Sequence, residues 1–241
     1  PYTEHRMSSM FARLSYNYNE RYMIQATIRR DGSSRFGINN KYGTFPSVSV
    51  GWNVTNEEFM ADTREWLSNL KVRASWGKNG NDNIAEFGYT SLTAMGNNVL
   101  LGKDAIKWNG SKAQRLANPD LKWETSKEFN IGLDWAVLDE RLSGSIDVYQ
   151  KKTSDMLYDF TVPTPPNLYN KTLANAGKMR NQGIEIAVNA IPVRTKDFEW
   201  KTTVTASHNA NKLLSLSNDL YETSNPVSYT HLRAHETSQD L

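Results

Sequence analysis

Eight stretches of this chain alternate apolar with polar or small residues at a period of two, and nothing else in the sequence limits its fold as tightly. Met10, Ala12, Leu14, Tyr16 and Tyr18 oppose Phe11, Arg13, Ser15 and Asn17, and Tyr22, Ile24, Ala26 and Ile28 oppose Arg21, Met23, Gln25 and Thr27. Val48, Val50 and Trp52 oppose Ser47, Ser49 and Gly51, and Leu70, Val72, Ala74 and Trp76 oppose Lys71, Arg73 and Ser75. After a lapse, Phe129, Ile131, Leu133 and Trp135 oppose Asn130, Gly132 and Asp134, and Leu142, Gly144, Ile146 and Val148 oppose Ser143, Ser145 and Asp147. Ile184, Ile186 and Val188 oppose Glu185, Ala187 and Asn189, and Trp200, Val204 and Ala206 oppose Lys201, Thr203, Thr205 and Ser207. Period two places successive side chains on opposite faces of a strand, so each segment has one apolar and one polar face.

A water-soluble core is poorly provided for. Hydrophobic residues are 38% of the 241, below the usual globular share, while 7 Trp and 11 Tyr supply many large amphipathic rings. No run approaches the roughly 18 to 20 consecutive apolar residues of a transmembrane helix, but transmembrane strands need only about 10 alternating residues each. The net charge of +2 calls for no nucleic-acid partner, and the absence of Cys removes disulfides and thiolate metal ligands.

The connections sort by length. "NYNER", "VLDER" and "PVRTKDF" are short, whereas Gly77 to Lys122 and Lys151 to Arg180 are long and rich in Gly, Asn and Pro. On the short side, "TNEEFMADTREWL" predicts a brief helix capped by Thr55 or Asn56. Short turns at one rim and long loops at the other describe an up-and-down barrel in an outer membrane. The aromatics agree with that geometry. Tyr16, Tyr18, Tyr22, Trp52, Trp135 and Trp200 share the apolar parity near the short-turn end, as a girdle at a membrane interface would. Trp123, twelve residues before Trp135 on the same parity, is expected in a second girdle roughly 28 Å higher. Lys127 falls between them on the apolar parity, which calls for a bulge that resets the register.

The runs "RYMIQATIRRDGSSRFG", "YGTFPSVSVGWNV", "WLSNLKVRASWGKNGNDNI", "NPDLKWETSKEFNIGLDWAVLDERLSGSIDVYQKKTSDML" and "NAGKMRNQGIEIAVNAIPV" closely resemble the SusC/RagA family of TonB-linked outer-membrane proteins, over roughly Ser8 to Leu216. The resemblance implies an all-β fold, a 22-stranded antiparallel barrel around an N-terminal plug, in the outer membrane of a Gram-negative bacterium. It implies import of large nutrients, oligosaccharides or peptides, with a SusD-like surface lipoprotein as lid and the TonB complex as energy source. Only about eight to ten of the strands are present, with no plug or TonB-contacting segment, so residues 1 to 225 are expected to be part of the C-terminal half of such a barrel. Residues 226 to 241, "PVSYTHLRAHETSQDL", lose the alternation and resemble non-native read-through.

Site candidates are few. "DGSSRFG" lacks the Lys-Ser/Thr and the following helix of a phosphate loop and is expected to be a hairpin loop. "GKNGNDN" lacks the acidic spacing of a calcium loop. His231 and His235 are four apart in the unpatterned tail with no third ligand, so no metal site is assigned, and no Ser, His and Asp set suggests catalysis. Arg13, Lys71, Arg73, Asp134, Glu185 and Lys201 share the polar parity and should face the lumen, where they either contact plug or substrate or simply hydrate the wall. Trp108, Tyr158, Phe160 and Tyr169, in the long loops, are candidates for substrate contact. Aromatic faces stack on sugar rings and equally pack loops together. The readings to be weighed are an importer barrel without catalytic residues or cofactor, a soluble all-β carbohydrate-active or carbohydrate-binding module, and a passive porin.

Overall fold

A computed structural model describes the backbone of residues 4–101 and 106–216, and side chains over the same residues except 96–111. Eight long strands form one antiparallel sheet: β1 (Met7–Tyr18), β2 (Tyr22–Ser33), β3 (Tyr42–Asn53), β4 (Leu67–Asn81), β7 (Glu124–Val137), β8 (Leu142–Ser154), β11 (Lys178–Arg194) and β12 (Glu199–Ser215), in that spatial order. Two hairpins occupy the long connections, β5 (Leu92–Leu101) with β6 (Ile106–Arg115) and β9 (Leu157–Thr161) with β10 (Lys171–Asn175). Among the described residues the long sheet does not close, so β1 and β12 are its edges.

The register carries the binary pattern across the sheet, with a polar member where His208 on β12 stands opposite Ile184 on the apolar face. One row runs Tyr16, Ile24, Val50, Ala74, Ile131, Val148, Ile184 through β1, β2, β3, β4, β7, β8 and β11. The next runs Tyr18, Tyr22, Trp52, Val72, Leu133, Ile146, Ile186, Ala206 to β12. A slip of one residue at any pair would put that strand's apolar set on the wrong face. The apolar face is uncovered: Leu14 is 72% exposed, Ile131 47%, Val148 52% and Val204 62%. A continuous face of this kind needs a non-aqueous neighbour, since soluble chains rarely leave such large contiguous apolar surface in water.

The tight turns lie at one end. Asn19 and Glu20, in the three-residue connection between Tyr18 and Tyr22, take left-handed φ values of 48° and 55°, and Leu138, Asp139 and Glu140, in the four-residue connection between Val137 and Leu142, do likewise, as tight hairpin connections require. At the same end, residues 54–66 form a strap containing two 3-10 turns, Val54–Asn56 and Glu58–Thr63. The expected helix cap is absent. No side chain caps either turn, and the Thr55 hydroxyl instead accepts from the Leu70 amide at 3.4 Å.

Lys127 needs no bulge. β7 pairs with β4 without a register shift from Asn81 opposite Glu124 to Asn69 opposite Ala136, and with β8 without one throughout. The strands also run further than the alternation indicated, β2 to Ser33, β4 to Asn81 and β8 to Ser154, so the wall stands taller on the long-loop side. Tightly packed apolar side chains collect there. Phe36, Phe45, Ile84, Leu121 and Trp123 form a buried cluster, Leu121 being fully enclosed, and Phe160, Ala174 and Ala176 form another.

Candidate functional site

The polar face of the sheet is organised by one arginine. Arg73 on β4 stands opposite Gly132 on β7, which stands opposite Asp147 on β8, which stands opposite Glu185 on β11. Its guanidinium donates through Nε and Nη2 to the two carboxylate oxygens of Asp134, at 2.7 and 2.9 Å, and through Nη2 to Oδ2 of Asp147 at 3.1 Å. The fork geometry suits a planar guanidinium and a carboxylate, and charge-assisted bonds of this kind are the stronger ones. Gly132 makes the arrangement fit. A Cβ there would sit 2.6 Å from Oδ1 of Asp147 and 2.7 Å from Cζ of Arg73.

Two concavities flank this ion-paired group. One, of about 460 Å3, includes Gln25, Ser49, Lys71, Arg73, Ser75 and Asn130 in its wall. The other, of about 310 Å3, includes Ser145, Asp147, Glu185, Thr205 and Ser207. Glu185 is exposed and makes no ion pair among the described residues. The polar face thus offers amide, hydroxyl and charged groups along a track that crosses most of the sheet.

Below it, the strap is held by a buried carboxylate. Glu57 Oε1 accepts from the Tyr22 hydroxyl at 2.6 Å and from the Trp52 indole at 2.9 Å, while Arg21 approaches Oε2 at 3.7 Å. The Tyr22 hydroxyl first, then the Trp52 indole, holds this carboxyl below the usual range; burial opposes the shift and Arg21 reinforces it. The tips of two aromatics on the apolar parity are therefore tied to the strap.

Above, the loops form a packed cap on the wall. The Trp123 ring lies 5.2 Å from Phe36 and 5.4 Å from Phe45, and its indole donates to the Lys41 carbonyl at 3.3 Å. Asn118 donates to the Leu173 carbonyl at 2.8 Å, and Asn175 exchanges bonds with the Lys122 backbone at 2.7 and 2.8 Å, joining the segment before β7 to the β10 hairpin. Ser33 donates to Asp82 at 2.7 Å, and Arg35 Nε to Glu86 at 2.8 Å, tying the β2–β3 loop to the one after β4.

A two-faced sheet, tight turns at one rim and a folded loop layer at the other set the context for comparison with known proteins. The family model "TonB dependent receptor-like, beta-barrel" matches residues 1–237. The chain belongs to that family. TonB-dependent receptor P39 of Formosa agariphila is 38% identical over 220 residues, covering 90% of this chain and 20% of the relative. TonB-dependent receptor SusC of Bacteroides thetaiotaomicron is 36% identical over 216 residues, covering 89% and 21%. The chain thus spans about a fifth of the length of these relatives. Among solved structures, the RagAB peptide importer in its open-open state superposes with a TM-score of 0.78 at 28% identity, over 92% of this chain and 24% of that one. The FrpB iron transporter of Neisseria meningitidis shares the fold alone, at 14% identity and a TM-score of 0.56. The eight-stranded sheet is accordingly part of an outer-membrane β-barrel of SusC/RagA type.

In this receptor barrel the candidates separate. Arg73 and Asp134 come together, and Asp147 joins them; Lys71 stands directly opposite Asp134, while Arg13 and Glu185 are exposed on the same face. Lys201 pairs with Glu199 at 2.7 Å near the short-turn rim. Tyr16, Tyr18, Tyr22, Trp52, Trp135 and Trp200 lie on the apolar parity toward that rim, with Tyr18 and Tyr22 stacked at 6.5 Å. Trp123 departs from the girdle expected for it. It is 6% exposed inside the loop cluster, because the alternation ends at Glu124 and the chain before it turns in over Phe45. Phe160 is also a packing residue, 4% exposed with its ring 5.4 Å from Tyr158, and only Tyr158 of the two stays open, at 50%. Tyr169 is half-buried. The side chain of Trp108, like the whole 226–241 tail with His231 and His235, lies outside the described residues. The sequence reading missed Glu57, whose signal was an acid in the interruption four residues past the end of β3 at Asn53, and the role of Gly132, which has no signal in its own strand because Arg73 and Asp147 come opposite it only through strand pairing.

Proposed function

We propose that this chain is a section of the wall and loop cap of an importer that carries oligosaccharides or peptides across the outer membrane. Cargo enters at the long-loop rim, where a SusD-like lipoprotein closes over it, and passes along the polar face once a plug withdraws under force from the TonB complex. The single observation that carries the reading is the polar track between Gln25 and Ser207, lined by amide, hydroxyl and charged groups and backed by an uncovered apolar face. Such a track makes and breaks hydrogen bonds with a polar oligomer along its length, and the exposed ring of Tyr158 supports a stacking contact at entry. A hydrolytic role is not favoured, because Asp134 and Asp147 are both engaged by Arg73 rather than left to face a substrate bond.

Uptake measured in cells that produce the full-length receptor tests the proposal. Accumulation of a labelled glycan or peptide is expected to require the receptor, an intact TonB system and the neighbouring lipoprotein. Uptake that persists without TonB would point to a passive pore, and cargo cleavage by the purified receptor would point to an enzyme; either result overturns the reading.

A further inference from the structure

Five cations stand side by side on the apolar face. Lys78 on β4 pairs with Lys127 on β7, Lys127 with Lys152 on β8, Lys152 with Arg180 on β11, and Arg180 with Lys212 on β12. These strands are consecutive in the sheet, so at about 4.8 Å per strand the row is roughly 19 Å wide. All five continue the parity that points to lipid lower down, after Trp76, Phe129, Val148, Ile184 and Ala206. None has an ion-pair or hydrogen-bond partner among the described residues. The flanking rows on the same face hold no carboxylate: Trp76, Phe129, Gln150, Gln182 and Ala210 lie toward the short turns, and Gly80, Thr125, Ser154 and Lys178 toward the loops. A like-charged row without counter-ions costs stability through mutual repulsion unless anions from outside neutralise it.

Height fixes where those anions lie. Eight residues separate Trp135 from Lys127, about 26 Å along the strand and about 20 Å along the membrane normal at a tilt near 40°. The row therefore caps the hydrocarbon band, and lysine and arginine stems can extend their heads a few ångström further to headgroup level. It does so at one rim only. The short-turn rim carries Tyr18, Tyr22, Trp52 and Trp135 on this face, not a cationic row. Between β3 and β4, whose pairing stops at Ser47 opposite Gly77, the face opens into a cleft of about 410 Å3 walled by Thr44, Lys78, Thr125, Lys127 and Ser154. Its one described carboxylate, Asp155, is already paired with Lys122 at 3.0 Å.

We propose that this row is a binding site for the phosphate groups of glycolipid headgroups in the outer leaflet, with the cleft beside Lys78 and Lys127 seating one phosphate. Cargo in the lumen cannot reach it, because the row is on the opposite face from Arg73 and Asp134. The site is independent of which nutrient is imported, so its test does not share a readout with uptake.

The full-length receptor in detergent is titrated with bisphosphorylated lipid A and with the same lipid after enzymatic removal of its phosphates, and native mass spectrometry counts the bound lipid. The receptor is expected to prefer the phosphorylated form by roughly tenfold or more, less at high salt. The variant K78Q/K127Q/K152Q/R180Q/K212Q should lose that preference, while K78R/K127R/K152R/K212R keeps it, both retaining the heat-modifiable mobility of a folded barrel. Equal binding of both lipids by the parent protein overturns the proposal. So does an unchanged preference in the glutamine variant, or displacement of lipid by inorganic phosphate at equal concentration. A change in oligomeric state with lipid binding intact would assign the row to a second copy of the chain and equally overturns it.

Discussion

At the scale of a residue, Gly132 shows how a position without a side chain directs those around it. Its opposite neighbours are Arg73 and Asp147, and the space a methyl group would occupy is where the guanidinium passes to reach the second carboxylate. Gly132→Ala is expected to push Arg73 off Asp147 and strain its fork with Asp134, lowering barrel stability by about 1 kcal/mol, the scale of a partly exposed charge-assisted pair. Equilibrium unfolding of the full-length receptor in micelles checks this, and an unchanged midpoint would mean the pair adds nothing. The alternation made Arg73 and Asp134 legible as neighbours on one face. It could not bring in Asp147, because that depends on which strand lies beyond β7. Trp123 was misplaced for a related reason: parity extrapolated past the end of a strand has no physical basis once the backbone leaves the pleat.

At the scale of an element, the strap at residues 54–66 is held to the wall through Glu57. Because its folded-state pKa lies below the ordinary carboxylate value of about 4.3, the stabilisation is complete above that value and is lost as pH falls through the depressed one. Trp52 fluorescence and hydrogen exchange at the Leu70 amide are expected to hold steady from pH 7 to about 5 and then report strap release in more acidic solution. Glu57→Gln should weaken the strap at pH 7 and flatten that acid transition; an identical transition in the variant would assign it to another group. The short-turn side was readable in outline, since "TNEEF" announced a helical interruption. Its anchoring was not, because Tyr22 is 35 residues away in sequence and meets Glu57 only once β2 and β3 pair.

At the scale of the whole molecule, the sheet separates two solvents. Ile131 lies midway between Trp135 and Lys127 on the apolar face, and Asn130 is its neighbour on the polar one. Ile131→Arg is expected to destabilise the barrel by roughly 2 to 4 kcal/mol, the cost of a cation near the bilayer midplane, whereas Asn130→Arg should cost about 1 kcal/mol or less. Refolding yield and unfolding midpoint in lipid bilayers measure both. Similar costs at the two positions would contradict the assignment of faces.

The sequence alone determined the faces, because a two-residue period is a property of the extended chain and needs no partner to be read. It also determined the rims, because turn residues such as Asn19 and Glu20 act locally. Only the tertiary structure decided which strands became neighbours, and with that the fork at Arg73, the loop core around Leu121 and the row of cations through Lys127. Each of these joins side chains on strands or loops far apart in the chain, whose spacing is set by the register of pairing and not by position along the sequence.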